Sequence, residues 1–291
     1  MKELRGIFTA LLTPFDENNK INEKSLEELV KLNLKMGVRG FYVGGTTAEA
    51  FFLTTEERKQ IMEIVKATAP DATLIAHIGS LDERAAIELG KHANKLSYDL
   101  VSSVAPFYFK YSFQEIKNYY FRLANASELP MLVYHFPGYS GVNMNVNEIG
   151  EFLSDDRFAG LKFTSNEFFT MERCKTAFPD KVVYNGFDEM FLCGLSMGAD
   201  GGIGSTYNFM ADKYVEMLKL FQENNIAEAR NIQVEANAIT EQLIKYGVMQ
   251  SEKAVLSAKG IPMGQCRDPF GKLEGERLDA FLSKVLPLLE A

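Results

Sequence analysis

Two rhythms of apolar residues alternate along this chain. Short apolar runs at residues 7–12, 41–43, 73–78, 100–104, 131–136, 158–163, 181–184 and 201–203 read as strands buried on both faces. Between them, apolar residues recur every third or fourth position among charged ones, as amphipathic helices require. Residues 26–36, 167–177, 188–197 and 210–222 carry that pattern, and Gly198 closes the third of these as a C-cap. Helix starts are marked as well. Thr54 with Glu57, Ser80 with Glu83, Ser112 with Glu115 and Asn145 with Glu148 have the spacing of a capping box, in which two side chains satisfy each other's backbone amides. These starts recur at intervals of roughly thirty residues, the length of one strand–helix unit.

Eight such units in succession predict an α/β fold, a (β/α)8 TIM barrel over residues 1–222. Further helical patterns at residues 226–246, 252–259 and 277–289 predict a C-terminal helical extension, residues 223–291, packed on the barrel as one structural unit. A doubly wound open sheet is the alternative arrangement, but it does not readily take eight units in one domain of this length. In a barrel the chemistry gathers at the C-terminal ends of the strands. Four groups of residues fall there: Gly44-Gly45-Thr46-Thr47, Tyr134, Lys162 and Gly201-Gly202-Ile203-Gly204-Ser205.

Lys162 closes an otherwise apolar run. An amine held in an apolar shell loses the hydration that favours its ammonium form. Its pKa falls and a neutral nucleophile becomes available, as Schiff-base chemistry needs. The competing reading is a strand-end lysine whose head reaches solvent. Tyr134 stands one unit earlier, so the two residues close consecutive strands and can share a site. A phenol can relay a proton between oxygens, or it can simply fill the core. The turn at residues 44–47 lets backbone approach a ligand and offers amides and hydroxyls to a carboxylate without any cation; an ordinary strand-to-loop turn has the same composition. Asp188 and Glu189 either complement a helix dipole or bind hydroxyl groups at the barrel mouth. Gly202-Ile203-Gly204 is half of a dinucleotide fingerprint and lacks the third glycine. His77, His92 and His135 are scattered, without the paired spacing of metal ligands. Neither a nicotinamide cofactor nor a metal centre is favoured by these signals.

Composition narrows the partners. The chain has 291 residues, 46% of them apolar, which allows a sizeable core, and a net charge of −8, which argues against nucleic acid. An anionic small substrate then needs a local binding device such as the turn at 44–47. Cys174, Cys193 and Cys266 are widely spaced, which fits a reducing compartment. The N-terminal apolar run is shorter than a secretory signal, and no apolar stretch is long enough to span a bilayer. A cytoplasmic protein with no membrane partner is expected.

Three motifs now combine. Gly44-Gly45-Thr46-Thr47-Ala48-Glu49, Tyr134-His135-Phe136-Pro137 and Gly160-Leu161-Lys162-Phe163-Thr164 together resemble the dihydrodipicolinate synthase / N-acetylneuraminate lyase family, in order and in spacing, over residues 6–270. Tyr184-Asn185-Gly186-Phe187-Asp188-Glu189 and the segment Gly201 to Asn208 are similar to its sialic-acid-cleaving branch. The resemblance implies a homotetrameric TIM barrel without cofactor. It also implies a class I aldolase that cleaves N-acetylneuraminate reversibly to N-acetylmannosamine and pyruvate. It assigns the Schiff base to Lys162, the proton relay to Tyr134 and the substrate carboxylate to Thr46 and Thr47. Thr164, Gly186, Asp188, Glu189 and Ser205 would line the sugar pocket, and Tyr108 would reach the site of a neighbouring subunit. Two positions depart from the usual pattern: Ala48 replaces a glycine, and His135 replaces an asparagine where the side chain should face away from the barrel interior. Synthases of the family generally carry an arginine five residues beyond the tyrosine. Here that residue is Tyr139, which cannot pair with a second carboxylate. The rival readings are another pyruvate-dependent aldolase of the family, a dihydrodipicolinate synthase or a 2-keto-3-deoxy-sugar aldolase, and a non-catalytic barrel that senses its ligand.

Overall fold

A computed structural model describes residues 2–290. Eight parallel strands close a barrel in chain order: β1 (Gly6–Ala10), β2 (Gly40–Val43), β3 (Thr73–His77), β4 (Leu100–Val104), β5 (Met131–His135), β6 (Phe158–Phe163), β7 (Val182–Asn185) and β8 (Gly201–Gly204), with β8 pairing back onto β1. The helices around it are α1 (Glu23–Lys35), α2 (Thr55–Thr68), α3 (Glu83–Lys95), α4 (Phe113–Ser127), the single turn α5 (Pro137–Ser140), α6 (Val146–Leu153), α7 (Phe168–Ala177), α8 (Phe191–Ser196) and α9 (Tyr207–Gln222). Three more follow: α10 (Ile226–Tyr246), α11 (Val248–Ala258) and α12 (Gly275–Glu290). Among the described residues no helix is long and apolar enough to cross a membrane.

Side chains alternate across each strand, and the two sets build two cores. Phe8, Tyr42, Ile75, Leu132, Tyr134, Tyr184 and Ile203 fill the barrel interior. Val133, Leu161, Phe163 and Val183 face outward and pack under the helices. This alternation places Lys162 inside, opposite Tyr134 on one side and Tyr184 on the other. It places His135 outside, where its ring stacks on Phe163 at 5.1 Å.

Local sequence signals account for most helix ends. The capping boxes at Thr54, Ser112 and Asn145 are closed on both sides. The one expected at Ser80 is not. The N-cap of α3 is Asp82, whose carboxylate accepts from the Arg84 amide at 2.9 Å. Ser80 instead accepts from the Asp82 amide, a turn that delays the helix, and Glu83 is thereby released to grip Arg122 of α4 with both oxygens at 2.7 Å. The helix expected from residue 188 is a 3-10 turn, Asp188–Met190, leading into α8, because the Asp188 side chain is drawn across to Thr206 rather than left to cap its own helix. The helix expected from residue 210 begins at Tyr207, with a kink at Met210. The helix expected from residue 252 begins at Val248, directly after Gly247, whose φ of +102° breaks it from α10.

The C-terminal helices are fastened to the barrel by buried charge. Glu49, in the loop after β2, takes Lys253 of α11 at 2.6 Å and the amide of Arg267 at 2.7 Å. Both side chains of the ion pair are essentially inaccessible. The Lys253 ammonium also lies 4.3 Å from the Phe15 ring centroid, and Arg267 reaches the Phe52 carbonyl at 2.8 Å. A buried pair is costly to break from one side, because the surviving charge loses its partner without regaining water. Lys253→Met or Glu49→Gln alone should therefore destabilise the protein by about 3–5 kcal/mol, and the double variant should cost clearly less than the sum. Urea denaturation of the four proteins measures this; additive losses would contradict a coupled pair.

Candidate active site

The strand ends open onto a cavity of about 410 Å³. Lys162, Tyr134, Thr46, Thr47, Thr164, Gly186, Asp188, Glu189 and Ser205 all line it, joined by Phe136, Tyr139 and the first turn of α11. The structure thus brings together every residue expected in this chain's own pocket, and Tyr108, expected to serve a neighbouring subunit, lies outside it. Tyr108 sits on the loop after β4 with φ of +81°, is 84% exposed and lines a separate depression of the surface.

Lys162 is buried at the base of this cavity. Its Nζ lies 4.1 Å from the centroid of the Tyr134 ring and 4.3 Å from that of Tyr42. The aromatic faces favour an ammonium, but loss of hydration costs more. Burial lowers the pKa to about 7, against a smaller upward pull from the Asp188 charge. Much of the amine is therefore free base at neutral pH. Tyr42, which the sequence showed only as a strand residue, is the floor beneath it and is held by a 3.0 Å hydrogen bond to Ser102 Oγ.

Tyr134 is buried beside Lys162, edge-on to Tyr42 at 6.0 Å and stacked on Phe136 at 5.7 Å. Burial raises the pKa of its phenol, and the hydroxyls of Thr46 and Thr164 beside it partly oppose that shift. The phenol is thus neutral at working pH, suited to passing a proton along rather than standing as a phenolate. Among the described residues the buried Thr164 Oγ1 closes no well-formed hydrogen bond, although it lies against the Tyr134 phenol.

Thr46 and Thr47 open a 3-10 turn, Thr46–Ala48, whose first amides have no partner within the turn. The left-handed residue is Glu49, at φ of +61°, so Ala48 carries none of the strain that a missing glycine would imply. The turn is braced from behind by residues whose role was not legible in sequence. His77 Nδ1 donates to the Gly44 carbonyl at 3.0 Å while Nε2 accepts from the Val104 amide at 3.3 Å. Arg58 donates to the carbonyls of His77 at 2.6 Å and Gly79 at 2.9 Å. Burial, then the Arg58 charge, holds His77 well below the usual imidazole range, so it is a neutral strut. His92 and His135 lie elsewhere, on α3 and on the outer face of β5, and the three histidines form no common site.

The far wall is acidic. Asp188 Oδ2 accepts from the Thr206 amide at 2.8 Å and its hydroxyl at 2.7 Å. Burial raises its pKa to about 6, despite those two bonds. This close approach needs glycines. A Cβ on Gly204 would stand 2.0 Å from Asp188 Oδ1, and one on Gly186 would stand 1.9 Å from Thr164 Oγ1. Helix α10 fixes the turn that carries both acids: Gln233 donates to the Asp188 carbonyl and Asn237 to the Glu189 carbonyl, each at 3.1 Å. Glu189 itself is partly exposed toward the cavity.

The family model for the dihydrodipicolinate synthetase family matches residues 3–286. This chain belongs to that family. Among family members, an N-acetylneuraminate lyase from Histophilus somni is 44% identical over 93% of both chains. The crystal structure of a Clostridium difficile member in complex with mannosamine superposes with a TM-score of 0.94 at 35% identity, covering 99% of both chains. That of N-acetylneuraminate lyase from Fusobacterium nucleatum complexed with pyruvate gives 0.91 at 39% identity, covering 97% of both.

The environment of Lys162 makes a direct prediction about this family site. Only the free amine attacks a carbonyl, so imine formation with pyruvate, trapped by borohydride and located by peptide mapping, should be slow at pH 5 and rise with a midpoint near 7. A midpoint near 10, the value of a solvated lysine, would show that the amine is not desolvated.

Proposed function

We propose that this chain is an N-acetylneuraminate lyase, a class I aldolase that cleaves N-acetylneuraminate reversibly to N-acetylmannosamine and pyruvate. The observation that carries the reading is the pairing of Lys162 and Tyr134 on adjacent strands, amine beside phenol, with the acidic wall facing them. Named relatives at similar length support the substrate, and two related structures hold a mannosamine and a pyruvate, the chemistry of the two halves.

The reaction follows from the site. The carboxylate of the open-chain sugar binds at the Thr46–Thr47 turn. Neutral Lys162 attacks the C2 ketone, and loss of water leaves an iminium. When C3–C4 breaks, its electron pair flows into that iminium to give the pyruvate enamine. The C4 hydroxyl proton must leave at the same time. Tyr134 accepts it while passing its own proton to the substrate carboxylate, which a neutral phenol can do and a phenolate need not. The enamine is then protonated at C3, and hydrolysis of the imine returns Lys162. Thr164, Gly186, Asp188, Glu189 and Ser205 face the polyol chain. Carboxylates accept hydrogen bonds from its hydroxyls and repel an anionic second substrate such as aspartate semialdehyde. Tyr139, at the position of the synthase arginine, lies over Phe136 at 4.4 Å and offers no positive charge.

Lys162→Arg should abolish cleavage and trapping alike, since a guanidinium forms no imine. Glu189→Ala should lose roughly ten- to a hundredfold in N-acetylneuraminate turnover, the worth of one charged hydrogen bond, while pyruvate trapping at Lys162 persists. Comparable condensation of pyruvate with aspartate semialdehyde by the wild type would place the chain in the synthase branch instead.

The same reading includes a homotetramer in which Tyr108 reaches a neighbour's site. Its support here is an exposed aromatic pair, Tyr108 and Phe109, with ring centroids 5.0 Å apart. Sedimentation at assay concentration should give a tetramer, and Tyr108→Ala should lower turnover; a fully active monomer would refute this assembly.

A further inference from the structure

Glu252 is a buried acid of the extension that the reaction above leaves without a role. It is completely buried, and neither carboxyl oxygen has a hydrogen-bond partner among the described residues. It lies one helical turn after Val248 and Met249 of α11, which line the cavity, and its carboxyl faces the hydroxyl of Ser205, another lining residue, without closing a well-formed bond. The other ionisable groups close enough to act on it electrostatically are the Asp188 carboxyl, the Tyr214 phenol on α9 and the Cys266 thiol beyond α11. None is a cation. The neighbouring Lys253 is already held by Glu49 and the Gln265 carbonyl. An ionised carboxylate in such a place would be buried without compensation, so the group is held as its neutral acid.

We propose that Glu252 is a positioning residue of the sugar pocket: as a neutral acid it donates to Ser205 Oγ and so turns the Ser205 hydroxyl proton outward, toward the substrate. This rests on the reading of Ser205 as a sugar contact. The polarity of the relay depends on charge state. A protonated Glu252 gives a proton to the Ser205 oxygen, and the Ser205 O–H points into the cavity. An ionised Glu252 is acceptor-only, captures the Ser205 O–H for itself and removes a donor from the sugar. Burial, opposed by the Ser205 hydroxyl and reinforced by Asp188, sets the changeover at about pH 8.

The test compares wild type, Glu252→Gln and Glu252→Leu in N-acetylneuraminate cleavage between pH 7 and 9, with pyruvate trapping at Lys162 as the control for an intact site. The amide of Gln keeps a donor and does not titrate. Wild-type KM should rise roughly three- to tenfold across this range, the worth of one hydrogen bond. Glu252→Gln should restore the low KM and hold it flat, and Glu252→Leu should show the raised KM already at pH 7, with trapping unchanged in all three. A Glu252→Gln profile that rises like wild type would overturn the role, as would a Glu252→Leu variant with wild-type KM. If Glu252→Leu does not fold, the Gln profile alone decides. Absence of cleavage by wild type that still traps pyruvate would overturn the substrate assignment and this inference with it, an outcome distinct from either variant result.

Discussion

The site depends on keeping one amine away from water and away from any direct counter-charge. Lys162 can be a nucleophile near neutrality only if its neighbours are apolar, so the barrel interior around it is aromatic, with Tyr42 below and Tyr134 alongside. The same requirement governs where negative charge is allowed. Asp188, whose field pulls the lysine pKa back up, is turned toward the Thr206 amide and hydroxyl instead of toward the amine. On the proposed reading the substrate carboxylate must be received at a turn that offers no side-chain cation of its own. A turn of backbone amides and threonine hydroxyls meets that need.

Holding such groups in place falls to residues outside the reaction. Arg58 and His77 brace the turn from beneath; Glu49 ties it to α11; Gln233 and Asn237 of α10 hold the backbone of the acidic wall. The C-terminal helices therefore hold both ends of the cavity, the Thr46–Thr47 turn and the acidic wall.

Much of this was legible in the chain. Strands buried on both faces leave unbroken apolar runs, and three of four capping boxes marked true helix starts. The Tyr134–Lys162 pairing followed from their spacing by one unit, because consecutive strands of a parallel barrel are neighbours. What escaped is what has no local signature. Ser251-Glu252-Lys253 reads as a polar helix start, yet all three are buried, and the partner that explains Lys253 lies far back in the chain at Glu49. His77 read as one of three scattered histidines because its partners are backbone atoms, which a sequence does not display. Ser80 lost its cap to Asp82 through a competition between two adequate caps that spacing alone does not decide.

The ion pair between Glu49 and Lys253 also sets an order of events during synthesis. All eight strands, with Lys162 among them, leave the ribosome before Lys253 does. Until then the Glu49 carboxylate lacks the Lys253 ammonium, and the turn before it is held only from the barrel side, by Arg58 and His77. A nascent chain stalled after β8 would carry Lys162 and the acidic wall in a barrel whose Thr46–Thr47 turn is not yet tied to α11.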